Sequence, residues 1–456
     1  MVYTGASLTQ TISDSYLQLS GICIMMEREA DMEEQETRQE LERALLVGVD
    51  IGGEEDFDYS MGELGSLAQA CGMQVAGIIT QRLSAPNKAF YVGPGKVEEI
   101  REYAGQCEAQ VIVFDDALAP SQLRNLQQEL DMPILDRTTL ILDIFAIRAK
   151  TREAKLQVET ARLQYLLPRL VGMHDALGRQ GGASGALSNK GTGEKKLELD
   201  RRKIEHRISE LGKELAEVEQ GRNIQRQRRM HSRVPQVALV GYTNAGKSTI
   251  MNRLVERYGQ ASEKTVTEKD MLFATLDTSV RTIETEDNKP FFLVDTVGFI
   301  HKLPHGLIKA FRSTLEEVRY ADLLLQVVDV SDPQYRQHME VTRQTLEELD
   351  AGHIPMIVVY NKSDLCGRAY PYLAGDHVYM AAASGAGVEE LLSLIKEKIY
   401  AQHVDCKLLL PYDQGSVASY FMEHATVLTQ EYREDGLFLE VNCHRQDADK
   451  YSRYAI

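Results

Sequence analysis

The stretch QVALVGYTNAGKST, residues 236–249, decides the fold of the central part of the chain. A run of apolar residues ends at Gly241, a turn of small and polar residues follows, and Gly246-Lys247-Ser248-Thr249 opens a helix-like stretch. The spacing is GxxxxGK[ST], a phosphate loop, placed between a predicted strand and a predicted helix as the motif requires. Backbone N–H groups of Gly241, Tyr242, Thr243, Asn244, Ala245 and Gly246 would cradle phosphates at the helix N-terminus. Lys247 would place a point charge near the β- and γ-phosphates, with the Ser248 hydroxyl set to bind Mg2+ and Thr249 beside it.

Working outward, FFLVDTVG at 291–298 puts Asp295 at the carboxyl end of an apolar run, where ligands bind in open parallel sheets. Asp295 is the expected outer-sphere carboxylate for the metal. Thr296 and Val297 follow, and Gly298 offers a backbone amide to a γ-phosphate oxygen with no Cβ in the way. Between these motifs lies Phe273-Ala274-Thr275-Leu276-Asp277, read as a loop that closes on the nucleotide, with the Thr275 hydroxyl as the contact to γ-phosphate and Mg2+ and Thr278 as the alternative. Lys247, Thr275 and Gly298 are therefore the candidate catalytic residues.

Base selection is read from Asn361-Lys362-Ser363-Asp364 after the run MIVVY. An ionised Asp364 accepts from both the ring N–H and the exocyclic amine of guanine, and adenine offers no such pair of donors. This predicts GTP and GDP rather than ATP. Ala381-Ala382-Ala383, after VYM, would add a backbone N–H from Ala382 to the guanine oxygen.

The flanks set the organisation. Residues 1–42 are read as an acidic, disordered leader with no basic residue before Glu27. Residues 43–137 alternate apolar runs (LLVGV, QVAGIIT, AQVIVFDD, MPILD) with helix-like stretches, which predicts a small α/β domain with a mainly parallel sheet. Residues 138–233 carry two apolar seams. One, from Leu140 to Tyr165, predicts a single long helix to about Leu167; the other runs from Leu197 to Val218; a glycine-rich loop joins them. This is a long antiparallel helical hairpin. Residues 234–402 form a doubly wound nucleotide-binding α/β domain, and 403–456 a small βαβ-like domain. The GxGK at Gly93–Lys96 reads as a turn and helix start rather than a second phosphate site.

Composition narrows the function. The chain of 456 residues has a net charge of −17, yet 147–233 holds 20 Lys and Arg against 11 Asp and Glu, a basic segment inside an acidic protein. Six scattered cysteines without a CxxC pair indicate neither a disulfide framework nor a zinc site. No apolar run approaches the ~18 residues of a spanning helix, so no membrane span is expected; the scattered cysteines fit a reducing cytosol, and the protein is expected to be cytoplasmic and monomeric.

Taken in order, GYTNAGKST, LFATLD, DTVGFI with KLPHGL and FRSTLEE, and NKSD resemble the HflX GTPases, and the likeness continues upstream through GPGKVEEI, FDDALAPSQLRNL and DRTTLILDIFAIRAKTREAKLQVETARLQYLLPRL. The resemblance implies contact of the N-terminal domain and hairpin with the large ribosomal subunit and its RNA. It also implies GTP-dependent splitting or rescue of stalled ribosomes. Phe299-Ile300 stand where small GTPases often carry a water-positioning glutamine, so slow hydrolysis is expected without ribosomes. The resemblance further implies a monovalent cation, K+, held with the help of Asn244. Three places depart from the family pattern: GTGEKKLE for GPGETQLE in the hairpin loop, LDTSVR for LDPTTR, and Ala381-Ala382 for Ser-Ala. A regulatory switch that binds GTP and a protein partner, without ribosome-dependent turnover, is the competing expectation.

Overall fold

The computed structural model describes residues 42–52, 57–180, 190–231, 234–259, 273, 278–285, 289–302 and 316–456. The leader, the glycine-rich turn of the hairpin and Ala274–Asp277 lie outside the described residues. The chain divides into two compact units, one holding residues up to Glu214 with Lys302–Ala310, the other Leu215–His301 with Phe311–Ile456.

The first unit is built on four parallel strands in the order β2-β1-β3-β4: β1 (Glu42–Asp50), β2 (Met73–Arg82), β3 (Val111–Phe114) and β4 (Ile134–Asp136). The continuous apolar runs of β1 and β3 are buried, as expected for parallel strands covered on both faces. The connecting helices are α1 (Phe57–Ala70), α2 (Pro94–Gln106) and α3 (Pro120–Leu130). Pro94 and Pro120 sit in the first turns of α2 and α3, where a missing N–H costs nothing. Gly93 is the N-cap of α2 and Lys96 pairs with Glu99 at 2.7 Å, so the GxGK serves as a turn and helix start.

One expectation fails here. The seam from Leu140 to Tyr165 is two helices, α4 (Arg137–Arg148) and α5 (Arg152–Gln180). Ala149 leaves helical geometry at ψ 104°, and the Thr151 hydroxyl accepts the Ala154 N–H, a new N-cap inside an unbroken apolar period. Helix α5 also continues past Leu167, through Pro168, to Gln180. Its partner α6 (Lys190–His231) runs antiparallel to it: Arg207 meets Glu159 at 2.7 Å and Arg152 meets Glu214 at 3.1 Å. Ile204 and Leu211 of the predicted seam are buried.

At the carboxyl ends of β3 and β4 the first unit encloses charge. Arg137 is 1% exposed and donates to Asp115 at 2.7 Å, to Glu63 at 2.6 Å and to the Ser60 carbonyl at 2.9 Å. Lys302 adds a second cation to Asp115 and reaches Asp116, each at 2.9 Å. Burial alone would raise the Asp115 carboxyl, but the Arg137 and Lys302 cations outweigh it and hold it below the usual carboxylate range. Asp136 accepts from the Leu118 N–H and from Arg169, and the Tyr165 hydroxyl donates to it.

The second unit holds a seven-stranded sheet in the order β10-β11-β9-β8-β5-β7-β6. Its strands are β5 (Gln236–Gly241), β6 (Ser279–Ile283), β7 (Phe291–Asp295), β8 (Leu323–Asp329), β9 (Met356–Asn361), β10 (Tyr372–Ala374) and β11 (His377–Tyr379), parallel except at β6 and β10. Helices α7 (Lys247–Tyr258), α8 (Tyr335–Glu348) and α9 (Val388–Ile399) accompany it. Val237, Leu239, Leu325, Ile357 and Val359 join α7 and α9 in one core. The doubly wound reading holds.

The C-terminal part departs from βαβ. Strands β12 (His403–Leu410), β13 (Thr426–Arg433) and β14 (Gly436–His444) form an antiparallel sheet in the order β12-β14-β13, with α10 (Gly415–His424) and α11 (Arg445–Lys450). Helix α10 stops at His424, because β-branched Thr426-Val427 begins a strand, and the turn to β14 closes at Gly436, φ 150°. A side chain at Gly436 would meet the Leu410 carbonyl at 2.5 Å.

Candidate functional site

Nucleotide-site residues gather at the carboxyl ends of β5, β7 and β9, at the point where chain connections leave in opposite directions from β5. Three glycines set the loop. Gly241 lies at φ 142°, where an added Cβ would strike the Val327 carbonyl at 2.3 Å; Gly246 lies at φ 95°, where it would strike the Asn361 side-chain amide at 2.2 Å. Gly298 has Thr243 Cα and Lys247 Nζ within 2.9 Å of its would-be Cβ. The phosphate loop and the DTVGFI segment are tied by two backbone bonds, Thr243 N–H to the Phe299 carbonyl (2.8 Å) and Phe299 N–H to the Gly241 carbonyl (3.1 Å).

Lys247 is buried and lies across the loop, donating to the carbonyls of Gly241 (3.1 Å) and Tyr242 (2.7 Å). Burial pushes its ammonium down to about 8, with Asp295 pulling the other way. The Ser248 hydroxyl donates to the Asp295 carboxylate at 2.8 Å, so the two residues assigned to the metal stand together at the end of β7. A hydroxyl and a carboxylate are hard oxygen donors, the set that suits Mg2+. Asn244 takes the left-handed conformation at φ 58° and is exposed. Ala245 is buried under the loop, and Thr249 is half-buried in the first turn of α7.

Asn361 joins the phosphate side of the site to the base side. Its side-chain N–H donates to the Ala245 carbonyl and its oxygen accepts the Ala382 N–H, each at 2.9 Å. The amide of Ala382, expected to meet the guanine oxygen, here donates to Asn361. Arg253, which sequence reading passed over, holds the carbonyls of Ala382 (3.2 Å) and Ala383 (2.7 Å). Its position two turns of helix from the loop was the available signal. Ala381 is bridged to Ala386. Lys362 takes φ 60° and pairs with Asp329 at 2.7 Å, Ser363 is buried with its N–H on the Met380 carbonyl, and Asp364 is exposed beside them.

Some assigned residues brace the site. The Tyr242 ring stacks on His338, 3.7 Å between centroids, and its hydroxyl accepts the His301 N–H at 2.7 Å, so the side chain is turned into the protein. Thr296 is buried with its hydroxyl on the Leu239 carbonyl at 2.6 Å, and Val297 is buried. Phe273 is buried at φ 53°. Thr275 lies outside the described residues, with Ala274, Leu276 and Asp277. Thr278, just beyond, accepts from Arg222 at 2.9 Å. Phe299 and Ile300 are each 1% exposed, so neither side chain is presented to an attacking water.

A glycine-framed phosphate loop, a strand-end aspartate and an NKxD segment on a doubly wound sheet define a P-loop GTPase domain. Residues 236–362 match the family model described as 50S ribosome-binding GTPase. Residues 58–146 match GTP-binding GTPase N-terminal, 148–229 GTP-binding GTPase Middle Region, and 373–454 the HflX C-terminal domain. The chain belongs to the HflX family of GTPases, and it is a GTP-binding, GTP-hydrolysing enzyme. It is 42% identical to GTPase HflX of Caldanaerobacter subterraneus subsp. tengcongensis over 90% of this chain and 93% of the relative. It is 43% identical to that of Lacrimispora saccharolytica over 87% and 92%, and 40% identical to that of Escherichia coli over 87% and 92%. Among the described residues no helix is long and apolar enough to cross a membrane.

Proposed function

We propose that this protein associates with the large ribosomal subunit and its RNA and uses its GTP cycle to split or rescue stalled ribosomes. The observation that carries the reading is the match of 236–362, the segment holding the assembled loop, to a family described as ribosome-binding. The basic segment 147–233 supports it, since Lys and Arg along paired helices suit RNA phosphates.

In this reading Lys247 and the loop amides bind the phosphates, the Gly298 amide meets the γ-phosphate, and Asp364 selects guanine. Ser248 and Thr275 would hold Mg2+ directly and Asp295 through water; the metal would neutralise charge on the β- and γ-phosphates. Asn244 would help hold K+. The chain supplies no glutamine after Gly298, so the ribosome is expected to complete the hydrolytic site.

The test measures GTP hydrolysis with and without purified large subunits, in potassium and in sodium buffer, followed by sedimentation. Strong stimulation with GTP-dependent co-sedimentation is expected, faster in potassium. Rapid turnover by the protein alone, or no response to subunits despite tight GTP binding, would overturn it; the second result would favour a switch for a protein partner.

A further inference from the structure

The nucleotide-binding sheet has one face that ends differently from the rest. Along β9 and β11 alternate residues point to opposite sides. Ile357, Val359, Val378 and Met380 enter the core with α7 and α9. Tyr360 and Tyr379 point the other way, opposite one another in register, and Tyr379 is also opposite Tyr372 of β10. Parallel sheets are normally covered on both faces. Helix α8 lies over β8 and β5 and reaches β9 with Tyr335 of its first turn, while toward β10 the face opens to solvent. Tyr372 is 54% exposed and His377 is exposed.

The result is a row of four tyrosines crossing three strands and a helix end. Centroids step from Tyr372 to Tyr379 by 6.0 Å, to Tyr360 by 4.7 Å and to Tyr335 by 6.3 Å. Two exposed arginines flank the row, Arg336 and Arg368, with guanidinium carbons 5.7 and 5.9 Å from the Tyr335 ring centre. Their cations depress the Tyr335 phenol, Arg336 foremost. Two carboxylates of the neighbouring strand ends are already paired, Asp329 with Lys362 and Asp376 with Lys398.

Aromatic rings in a row on an open sheet, with arginine beside them, are the chemistry that holds unpaired bases: rings stack on bases of any identity, and guanidinium groups meet phosphates or stack in turn. We propose that the Tyr372–Tyr379–Tyr360–Tyr335 row, with Arg336 and Arg368, binds an unpaired segment of RNA, separately from the basic hairpin. The proposal rests on the ribosomal reading for the source of that RNA. A protein partner would find the same rings, but the two flanking arginines and the continuous row, exposed at Tyr372 and half-buried at Tyr379, Tyr360 and Tyr335, favour stacked bases.

The test uses the full chain and a short fluorescein-labelled oligouridine, with an RNA duplex of equal length as control, read by anisotropy across a salt series. A thiouridine-substituted version, photocrosslinked and mapped by mass spectrometry, locates the site apart from any binding by the hairpin. The expected result is crosslinking within 335–379, preference for the single strand, and a fall of at least about tenfold in affinity for the Tyr372→Ala Arg368→Ala variant, with Tyr372→Phe retaining affinity. GDP affinity and ribosome-free GTP hydrolysis should be unchanged. Crosslinks confined to 148–229, no binding of the single strand, or undiminished affinity in the double variant would overturn it. If the double variant binds RNA normally but loses large-subunit co-sedimentation, the face meets protein instead. If it keeps GTP-dependent co-sedimentation with RNA affinity unchanged, the row has no RNA role and the ribosomal reading stands.

Discussion

Both units carry aspartates at the carboxyl ends of parallel strands, and the two sheets use them in opposite ways. In the first unit Asp115 and Asp136, at the ends of β3 and β4, are met by the chain's own cations: Arg137 and Lys302 on one, Arg169 on the other. In the second, Asp295 at the end of β7 accepts from the Ser248 hydroxyl, next to a loop framed by glycines and a lysine that donates to two backbone carbonyls. Strand-end acid is therefore no mark of a ligand site by itself. What separates the two is the group that meets the acid: directly paired guanidinium and ammonium cations in the first unit, a hydroxyl suited to a shared metal in the second.

This contrast can be broken at either end. The largest effect is expected from Arg137→Leu, which takes the buried guanidinium away from Asp115 and Glu63 and should cost about 3–5 kcal/mol. Urea unfolding followed by tryptic sensitivity of residues 57–148 would measure it. GDP affinity should survive, and equal loss of both would erase the distinction between the two clusters. Next, Lys247→Ala removes the cation that the phosphates are expected to recruit; GTP turnover should fall by about 100-fold or more, a scale common for preorganised charge stabilisation. Normal turnover would remove Lys247 from the site.

Asp364→Asn sharpens the base side. The amide cannot accept from both guanine donors but can donate to a base carrying a carbonyl there, so GTP affinity should fall by about 100-fold while xanthosine triphosphate gains. A competition assay with both nucleotides decides it.

A pH signature follows from the first cluster. Because the folded Asp115 carboxyl sits below its unfolded value, its stabilising contribution is complete above that unfolded value, near pH 4, and is lost as pH falls through the folded one. Acid titration should unfold the first unit over that low window, and Asp115→Asn should flatten the response. The smallest effect is expected from Tyr242→Phe, which removes the acceptor of the His301 N–H and leaves the ring stack; about 1 kcal/mol of stability should go, seen as a modest drop in melting temperature with GTP affinity nearly intact.

The site was largely legible because phosphate binding constrains local sequence. Gly241 and Gly246 must adopt backbone angles closed to other residues, and Lys247 and Ser248 must follow at fixed spacing on one helix turn. The same local logic exposed the parallel strands of the first unit, whose buried runs leave no alternation to misread. It failed where a polar residue acts inside an apolar period: the Thr151 cap divides one seam into α4 and α5 without disturbing the pattern. It failed again at the C-terminus, where strand direction is set by pairing of β12 and β13 with β14, partners far apart in sequence.

Sequence alone thus determined the order of motifs, the P-loop class, the nucleotide and the family, since each rests on residues within a few positions of one another. Tertiary structure decided which amides remain for a ligand and which the protein consumes. Ala382 gives its N–H to Asn361, 21 positions away, and Arg137 closes on Glu63 from 74. It also decided that four tyrosines from separate elements share one open face. Such choices depend on distances across the fold, and no local pattern in the chain encodes them.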